Sequence, residues 1–264
     1  MEWGTLTAKT FAEALKKSDR VCVLPIGVME KHGGHLPLAT DVIIAREVAK
    51  RVAEISPVVV FPCYYWGQIA EARHTKGTIA ASHRLIMDAL LEMCDEIHRN
   101  GFTKILILNA HGGNLSFLPF FAQQFPRLNR DYAVYVHFWH HIDEAKIDPI
   151  RERAGALGED GHGGFLETAL IMHLRPDLVH MEEVNVDECF SLERLRELQG
   201  LNVFTGFDWY SMYPHHFAGD PRTATAEFGA ELFKAIIENV ARIIDLIKAD
   251  KVTPALIDEY NKCT

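Results

Sequence analysis

Three potential metal ligands stand close together in the segment Gly27–Asp41, which follows an apolar run. Glu30 and His32 are two residues apart, so in an extended segment both side chains leave the same face of the chain. Two adjacent glycines let the backbone fold back, and Asp41 then reaches the start of the next helix. One metal cluster could collect all three side chains. Asp41 could instead act only as a helix N-cap, and His35, out of step with the other ligands, is predicted to be a structural turn histidine.

Two further glycine-rich segments carry side chains of the same kind. The loop Asn109–Asn114 follows a strongly apolar run and places His111 beside two glycines, where it can reach a ligand. The patch Gly161–Thr168 contains His162 and Glu167. Because an imidazole titrates near neutral pH, His162 is a candidate for proton transfer. The alternative for Glu167 is a carboxylate that merely stabilises the first turn of a helix.

Other catalytic motifs are absent from the sequence. It contains neither GxGxxG nor GxxxxGK[ST], so a dinucleotide enzyme or a P-loop nucleotide enzyme is not expected. It has no GxSxG motif, and no cysteine lies in a histidine-bearing glycine loop. A covalent serine or cysteine hydrolase is therefore disfavoured.

The pattern of apolar residues predicts strands that alternate with helices. Such βαβ units favour a mostly parallel sheet that is covered by helices on both faces. Ligands of such sheets gather at the carboxyl ends of the strands, where the first two loops begin. The predicted strands are Val21–Ile26, Val58–Phe61, Lys104–Leu108 and Tyr132–Phe138, and the predicted helices are Val42–Ala53, Ser82–Gly101, Leu166–Leu174 and Ala224–Lys248.

Composition limits the partners of the protein. The 264 residues are 48% hydrophobic and carry a net charge of −9, so phosphate backbones and anionic membrane surfaces would be repelled. We therefore expect neither a nucleic acid nor a membrane as a partner. We expect a small-molecule substrate. Five scattered cysteines without a CxxC pair indicate reduced thiols, so we expect a cytoplasmic protein. Without an internal repeat or linker, one domain spanning residues 1–264 is predicted.

Taken together, four segments resemble the creatininase (creatinine amidohydrolase) family. They occur in order along nearly the whole chain, and the first matches the pattern GxxExHGxHLPLxTD. A fifth segment, Arg73–Thr78, is similar to the family's histidine-containing GT loop. The four segments are Gly27–Asp41, Asn109–Asn114, Gly161–Thr168 and Gly219–Gly229.

The resemblance implies a three-layer α/β/α fold and two divalent metals. It implies a homo-oligomer, often a hexamer, that hydrolyses an amide or cyclic amide bond. By position, Glu30 and His111 would bind one metal, His32 the other, and Asp41 would bridge them. Mixed imidazole and carboxylate ligands suit zinc, manganese or iron(II), so the sequence does not identify the metal.

This sequence departs from creatininase at two positions. Creatininase has a glutamate ligand where this chain has Gly113, so we expect Glu167 to complete the second metal site. Creatininase also has an acidic residue immediately before the histidine that matches His162. Here that residue is Gly161, which weakens creatinine as the substrate, although Asp160 could partly replace the missing acid.

The expected mechanism uses a hydroxide that bridges the two metals. Two divalent cations can lower the pKa of a shared water from 15.7 toward ~7. His162 would then protonate the leaving group. One alternative is hydrolysis of a cyclic ketone or diketone derived from a sugar or polyol, with C–C cleavage at the same metals. Another is a protein that binds a metal or ligand without catalysis.

The sequence leaves two roles open for each of two aromatic segments. The segment His137–His141 could form a substrate wall or cover the end of a strand. The segment Trp209–His216 could line the active site or, since it is rich in aromatic residues, a subunit interface. Neither supplies a predicted catalytic residue.

Overall fold

Four parallel strands form the central sheet, in the order β2-β1-β3-β4. The structure is a computed structural model that describes residues 1–142, 144–156, 158 and 160–264. Each strand of the sheet is parallel to its neighbours, which confirms the predicted parallel sheet. The strands are β1 (Val21–Ile26), β2 (Val59–Val60), β3 (Lys104–Asn109) and β4 (Ala133–Phe138).

Helices pack on both faces of this sheet. Alternate residues of β1 enter different cores, because successive side chains of a strand point to opposite faces. Val21 and Val23 belong to the core on one face, with residues of α2, α7 and α10. Cys22 and Leu24 belong to the core on the other face, with residues of α1, α3 and α4. The three-layer α/β/α arrangement is therefore confirmed. The helices are α1 (Ala8–Lys17), α2 (Thr40–Ile55), α3 (His83–Arg99), α4 (Asn114–Gln123), α5 (Phe125–Leu128), α6 (Glu144–Ala154), α7 (Phe165–Leu174), α8 (Arg196–Gly200), α9 (Asp208–Met212), α10 (Ala226–Ala249) and α11 (Val252–Cys263).

Side-chain caps fix the first residues of two predicted helices, α3 as expected from Ser82, and α10 two residues after the predicted start at Ala224. The Ser82 hydroxyl accepts a hydrogen bond from the backbone N–H of Leu85 and caps α3. The Thr225 hydroxyl accepts one from Phe228 in the same way at α10. These side chains satisfy N–H groups that the first turn of a helix leaves free, which is why both helices begin where they do.

Strand β2 is shorter than predicted. The apolar run Val58–Phe61 lies between two prolines, and only Val59–Val60 form the strand. Proline has no N–H to donate, so it shortens the ladder at either end. The outer side of β2 is covered by the N-terminus, since the amino group of Met1 donates to the Val58 carbonyl oxygen at 2.9 Å.

A second, two-stranded antiparallel sheet was not predicted. It consists of β5 (Asp160–His162) and β6 (Ala218–Gly219). His162 pairs with Ala218 across this sheet, so a segment late in the chain is fixed beside the Gly161–Thr168 patch.

None of the helices in the described part of the chain is both long and apolar enough to cross a membrane. All five cysteines are free thiols, as their scattered positions predicted.

Candidate metal centre

The two ligand-bearing loops start from adjacent points at the carboxyl edge of the sheet. Strands β1 and β3 are neighbours, and their last residues, Ile26 and Asn109, are paired. Gly27 allows the start of α2 to approach this edge closely. A Cβ atom at Gly27 would lie 2.5 Å from the backbone nitrogen of Val42. Asp41 is therefore held against the end of β1, within reach of both loops.

Glu30, Asp41 and His111 form the first group of candidate ligands, and all three are buried. His111 Nδ1 lies 2.7 Å from Glu30 Oε1 and 3.0 Å from Asp41 Oδ2. The other ring nitrogen, Nε2, lies 2.7 Å from the Gln68 carbonyl oxygen. Because a carbonyl oxygen only accepts, Nε2 carries the proton. In the neutral ring, Nδ1 then directs a lone pair at two carboxylate oxygens.

His32, Asp41 and Glu167 form the second group. His32 Nε2 lies 3.1 Å from Asp41 Oδ1 and 3.9 Å from Glu167 Oε2. Its Nδ1–H donates to the Glu30 carbonyl oxygen at 3.2 Å, so in the neutral ring Nε2 would direct a lone pair at these carboxylates. Glu167 Oε2 accepts a hydrogen bond from the Gly163 N–H at 2.6 Å, which fixes the carboxylate at the start of α7.

These residues fit divalent cations. A lone pair that faces carboxylate oxygens is repelled unless a cation or a proton lies between them. In metal sites, a ligating imidazole commonly donates its other N–H to a backbone carbonyl, as both histidines do here. Glu30 Oε1 has no hydrogen-bond partner among the described residues although it is buried. Asp41 belongs to both groups, with one oxygen facing each imidazole.

Without a cation, bound protons reduce the repulsion between these carboxylates and ring nitrogens. Burial raises the pKa of Glu167 to about 7. Burial alone would lower the pKa of His32, but the carboxylates of Glu167 and Asp41 outweigh it and raise that pKa to about 9. A divalent cation must displace such protons in order to bind, so its affinity rises with pH.

Two more histidines surround Glu30. His216 donates from Nε2 to Glu30 Oε2 at 2.5 Å and accepts from the Trp209 N–H on its Nδ1 at 2.9 Å. His162 donates from Nε2 to the Lys31 carbonyl oxygen at 2.7 Å. Burial, reinforced by the neighbouring His32, holds the pKa of His162 well below its usual range. His162 is therefore neutral at pH 7, and Nδ1 is the nitrogen left for proton transfer.

A cavity of about 460 Å³ opens onto these groups. This volume suits a small molecule. Trp139 and His140 contribute to its wall, as does Trp209, so both aromatic segments with open interpretations reach the cavity. The lining residues are Glu30, Glu71, Ala110, His111, Gly112, Gly113, Leu115, Trp139, His140, Asp160, Gly161, His162, Leu166, Glu167, Trp209 and His216.

The structure brings all the predicted site residues to one place. The sequence did not predict the contribution of His216, because it lies 186 residues from its partner Glu30. The only local feature of the sequence that pointed to His216 was its position next to several aromatic residues. Glu71 had no signal in the sequence at all. The residues brought together as predicted are Glu30, His32, Asp41, His111, His162 and Glu167.

The structure also bears on two residues of the first loop, Asp41 and His35, and on the segment Trp209–His216. Asp41 is not a helix cap, since the N-cap position of α2 is Ala39. His35 lies outside the ligand groups, and its Nε2 bonds to the Thr168 hydroxyl at 2.9 Å, which joins the first loop to α7. Within the segment Trp209–His216, Tyr213 is buried, with only 1% of its surface exposed.

Asp160 lines the cavity, but its carboxylate also supports a helix. Its Oδ2 accepts a hydrogen bond from the Leu166 N–H at 3.0 Å, in the first turn of α7. Burial raises the pKa of Asp160 to about 6. Gly164 leaves room for this carboxylate, because a Cβ there would lie 2.1 Å from Asp160 Oδ1.

Gly113 leaves no room for a side chain. A Cβ at this position would lie 2.5 Å from both the Gln68 carbonyl oxygen and His111 Nε2, the two atoms of one hydrogen bond. A glutamate ligand at residue 113 therefore does not fit this loop. Glu167, near His32 and Asp41, lies where the second group of ligands needs a carboxylate.

Comparison with known proteins gives relatives that are all named as hydrolytic enzymes. A Pseudomonas putida creatinine amidohydrolase is 28% identical over 193 residues, which cover 69% of this chain and 74% of the relative. A mycofactocin precursor peptide peptidase from Mycobacterium ulcerans (strain Agy99) is 28% identical, covering 84% of this chain and 83% of that protein. A Thermotoga maritima 3-dehydro-scyllo-inosose hydrolase is 24% identical, covering 95% and 86%.

Solved structures share the fold. A Bacteroides fragilis protein, described as a creatinine amidohydrolase by similarity, aligns with a TM-score of 0.76 at 25% identity, covering 96% of this chain and 98% of that one. A creatininase mutant of the Zn-Zn type aligns with a TM-score of 0.74 at 24% identity, covering 92% and 96%. A family model described as creatininase, creatinine amidohydrolase, matches residues 4–244. The chain is thus a member of the creatininase family of hydrolases.

Proposed function

We propose that this protein is a dinuclear metal-dependent hydrolase that cleaves an amide or cyclic amide bond. One metal would be held by Glu30, Asp41 and His111, and the other by His32, Asp41 and Glu167. Asp41 would be the shared ligand. Zinc, manganese and iron(II) all suit this donor set.

One observation carries this proposal: ring nitrogens of two buried imidazoles face opposite oxygens of one buried carboxylate. His111 faces Asp41 Oδ2 and His32 faces Asp41 Oδ1, and each ring donates its other N–H to a backbone carbonyl. The arrangement favours one cation on each side of Asp41.

The chain itself would position the reactants and move the proton. Two divalent ions held here would lower the pKa of a bound water and polarise the carbonyl of the substrate. His162 has its Nε2–H committed to the Lys31 carbonyl, so its Nδ1 would accept a proton and return it to the leaving group. His216 holds Glu30 through Nε2 and is itself held by Trp209. This chain of contacts would fix Glu30 as a ligand.

Amide cleavage is the reaction that the relatives favour. Two of the compared relatives are named for cleavage of an amide, one in creatinine and one in a peptide. The Thermotoga maritima relative is named for a cyclic polyol ketone and covers more of the chain. It supports the second candidate, hydrolysis of a cyclic ketone or diketone at the same centre. Gly161, in the position of the creatininase acid, argues against creatinine itself.

Metal analysis and a substrate panel test the proposal. Untagged protein, supplemented with zinc or manganese, should contain about two metal ions per chain. It should then hydrolyse at least one member of a panel of linear amides, lactams and short peptides. Mass spectrometry would identify the bond, by one water added to a ring or by two separate products. Metal stoichiometry below one per chain would refute the dinuclear centre, and metal binding without turnover on amides or cyclic diketones would favour a binding protein.

We further propose a cytoplasmic homo-oligomer, of six chains by analogy with the family. The segment 190–207 exposes large apolar side chains, among them Leu201 at 75%, Phe204 at 84% and Phe207 at 71%. Exposed apolar surface is common where subunits meet, which supports an interface at this segment. Light scattering should show an assembly larger than ~30 kDa, and Phe204→Glu should reduce its size. A monodisperse wild-type monomer would refute the assembly without affecting the metal-site proposal.

That residues 1–264 form one domain stays a prediction.

A further inference from the structure

Glu71 is a carboxylate of the cavity wall that belongs to neither group of ligands. It lies in a short 3-10 turn, Ala70–Ala72, and is half-buried. The Gln68 side-chain amide donates to Glu71 Oε2 at 2.9 Å and holds that oxygen in place. The other oxygen, Oε1, lies 3.2 Å from the position of a Cβ on Gly113. This second oxygen therefore lies over the glycine loop that carries His111.

The lining of the cavity is rich in acidic side chains. Among the described residues that line it there are four acids and no lysine or arginine. Glu30 and Glu167 belong to the ligand groups, and Asp160 supports α7. No ion-pair partner within 4 Å of Glu71 is found in the described part of the chain. Glu71 is thus the acid of the lining that is free to interact with a substrate.

We propose that Glu71 selects the substrate, binding an ammonium, amidine or amide N–H group and disfavouring a carboxylate or phosphate at that position. The inference rests on the proposed amide hydrolysis and adds its substrate class: neutral or cationic amides. A hydrogen bond between a charged donor and a carboxylate is stronger than a neutral one. The described lining has no lysine or arginine, so an anionic substituent next to Glu71 would be repelled by this carboxylate and would find no basic side chain to pair with.

Three amides of matched chain length test the selection. They are 4-aminobutanamide, which is cationic, pentanamide, which is neutral, and glutaramate, which is anionic. Zinc-loaded protein should bind and hydrolyse the cationic amide best and the anionic one worst, with KM values at least ~10-fold apart. Binding is also measured by calorimetry on zinc-loaded and metal-free protein, so the ranking does not depend on turnover.

The variant Glu71→Gln should remove the charge preference, mainly through KM, while its zinc content stays near that of the wild type. Glu71→Asp, which keeps the charge, should retain part of the preference. Glu92→Gln, an exposed acid on α3, makes the same change in net charge and should leave the ranking intact.

Different results overturn the two proposals. Equal affinity for the three amides, no detectable binding of any of them, or an unchanged ranking in Glu71→Gln would overturn the role of Glu71. Loss of zinc in Glu71→Gln would also overturn it, since the residue would then support the metal loop through Gln68. Failure of the wild-type protein to bind zinc would instead refute the dinuclear centre, while the ranking on metal-free protein would still report on Glu71.

Discussion

Replacing Gly113 by alanine should displace His111 and weaken metal binding at the first group of ligands. The added Cβ would lie 2.5 Å from His111 Nε2 and 2.5 Å from the Gln68 carbonyl oxygen. Ordinary contacts of a Cβ begin at about 3.4 Å, so both atoms must move by about 0.9 Å. They are joined by the hydrogen bond that directs Nδ1 of His111 at Glu30 and Asp41. Movement of either atom therefore changes the ligand geometry.

The size of the effect follows from the cost of overpacking. Forcing one extra carbon into a closely packed site costs about 1–3 kcal/mol. If that cost falls on the metal-binding conformation, affinity at the first group decreases by roughly 5- to 150-fold, since 1.4 kcal/mol corresponds to a factor of ten. The neighbouring position provides the control, because a Cβ on Gly112 would meet nothing within 4 Å. Gly112→Ala should bind metal like the wild type.

Zinc titration against a competing chelator would measure both variants, with urea denaturation of the metal-free proteins as a check on folding. Equal zinc affinity in Gly113→Ala and Gly112→Ala would refute the steric argument. Gly113→Glu should also fail to restore the metal lost in Glu167→Gln. Restoration by this double variant would show that the loop can hold a glutamate ligand as creatininase does.

Three further predictions concern the same cavity. Glu167→Gln should reduce the metal content from about two ions to about one per chain, and two retained ions would mean that another group completes the second site. His162→Ala should keep both metals while kcat decreases by roughly 10² to 10⁴, the range for a lost general acid or base; loss of metal would instead identify His162 as a ligand. The pKa of Asp160 is about 6 when folded, against about 3.9 in an unfolded chain, so the folded protein favours the protonated acid and loses stability as pH rises from about 4 to 6. Asp160→Asn has no carboxylate to titrate and so does not lose this stability. The difference in unfolding free energy, variant minus wild type, should therefore increase by up to about 3 kcal/mol between pH 4 and pH 7.5, measured with EDTA present. A difference that does not change with pH would contradict the burial of this carboxylate.

Much of the candidate metal centre could be predicted because its candidate ligands lie in local patterns. Glu30, His32 and Asp41 follow one buried strand, and His111 follows its neighbour. An apolar run predicts a buried strand, and parallel strands end at the same edge, so the sequence alone indicated that these loops meet. Glycine at Gly27 and in the loop of His111 gave the backbone the freedom that this edge needs.

Only the tertiary structure decided how each side chain is used. Which nitrogen of His111 carries the proton depends on the Gln68 carbonyl, 43 residues away. His216 reaches Glu30 from 186 residues away, and Glu71 enters the cavity from a short turn with no periodic pattern. Contacts between distant segments leave no repeating signal in a single sequence, because they depend on how the layers pack rather than on the period of a strand or helix. The sequence alone therefore determined the types of the candidate ligands and the sheet edge at which they lie. Packing decided the ring-nitrogen partners of the histidines, the exclusion of a side chain at Gly113 and which acids line the cavity.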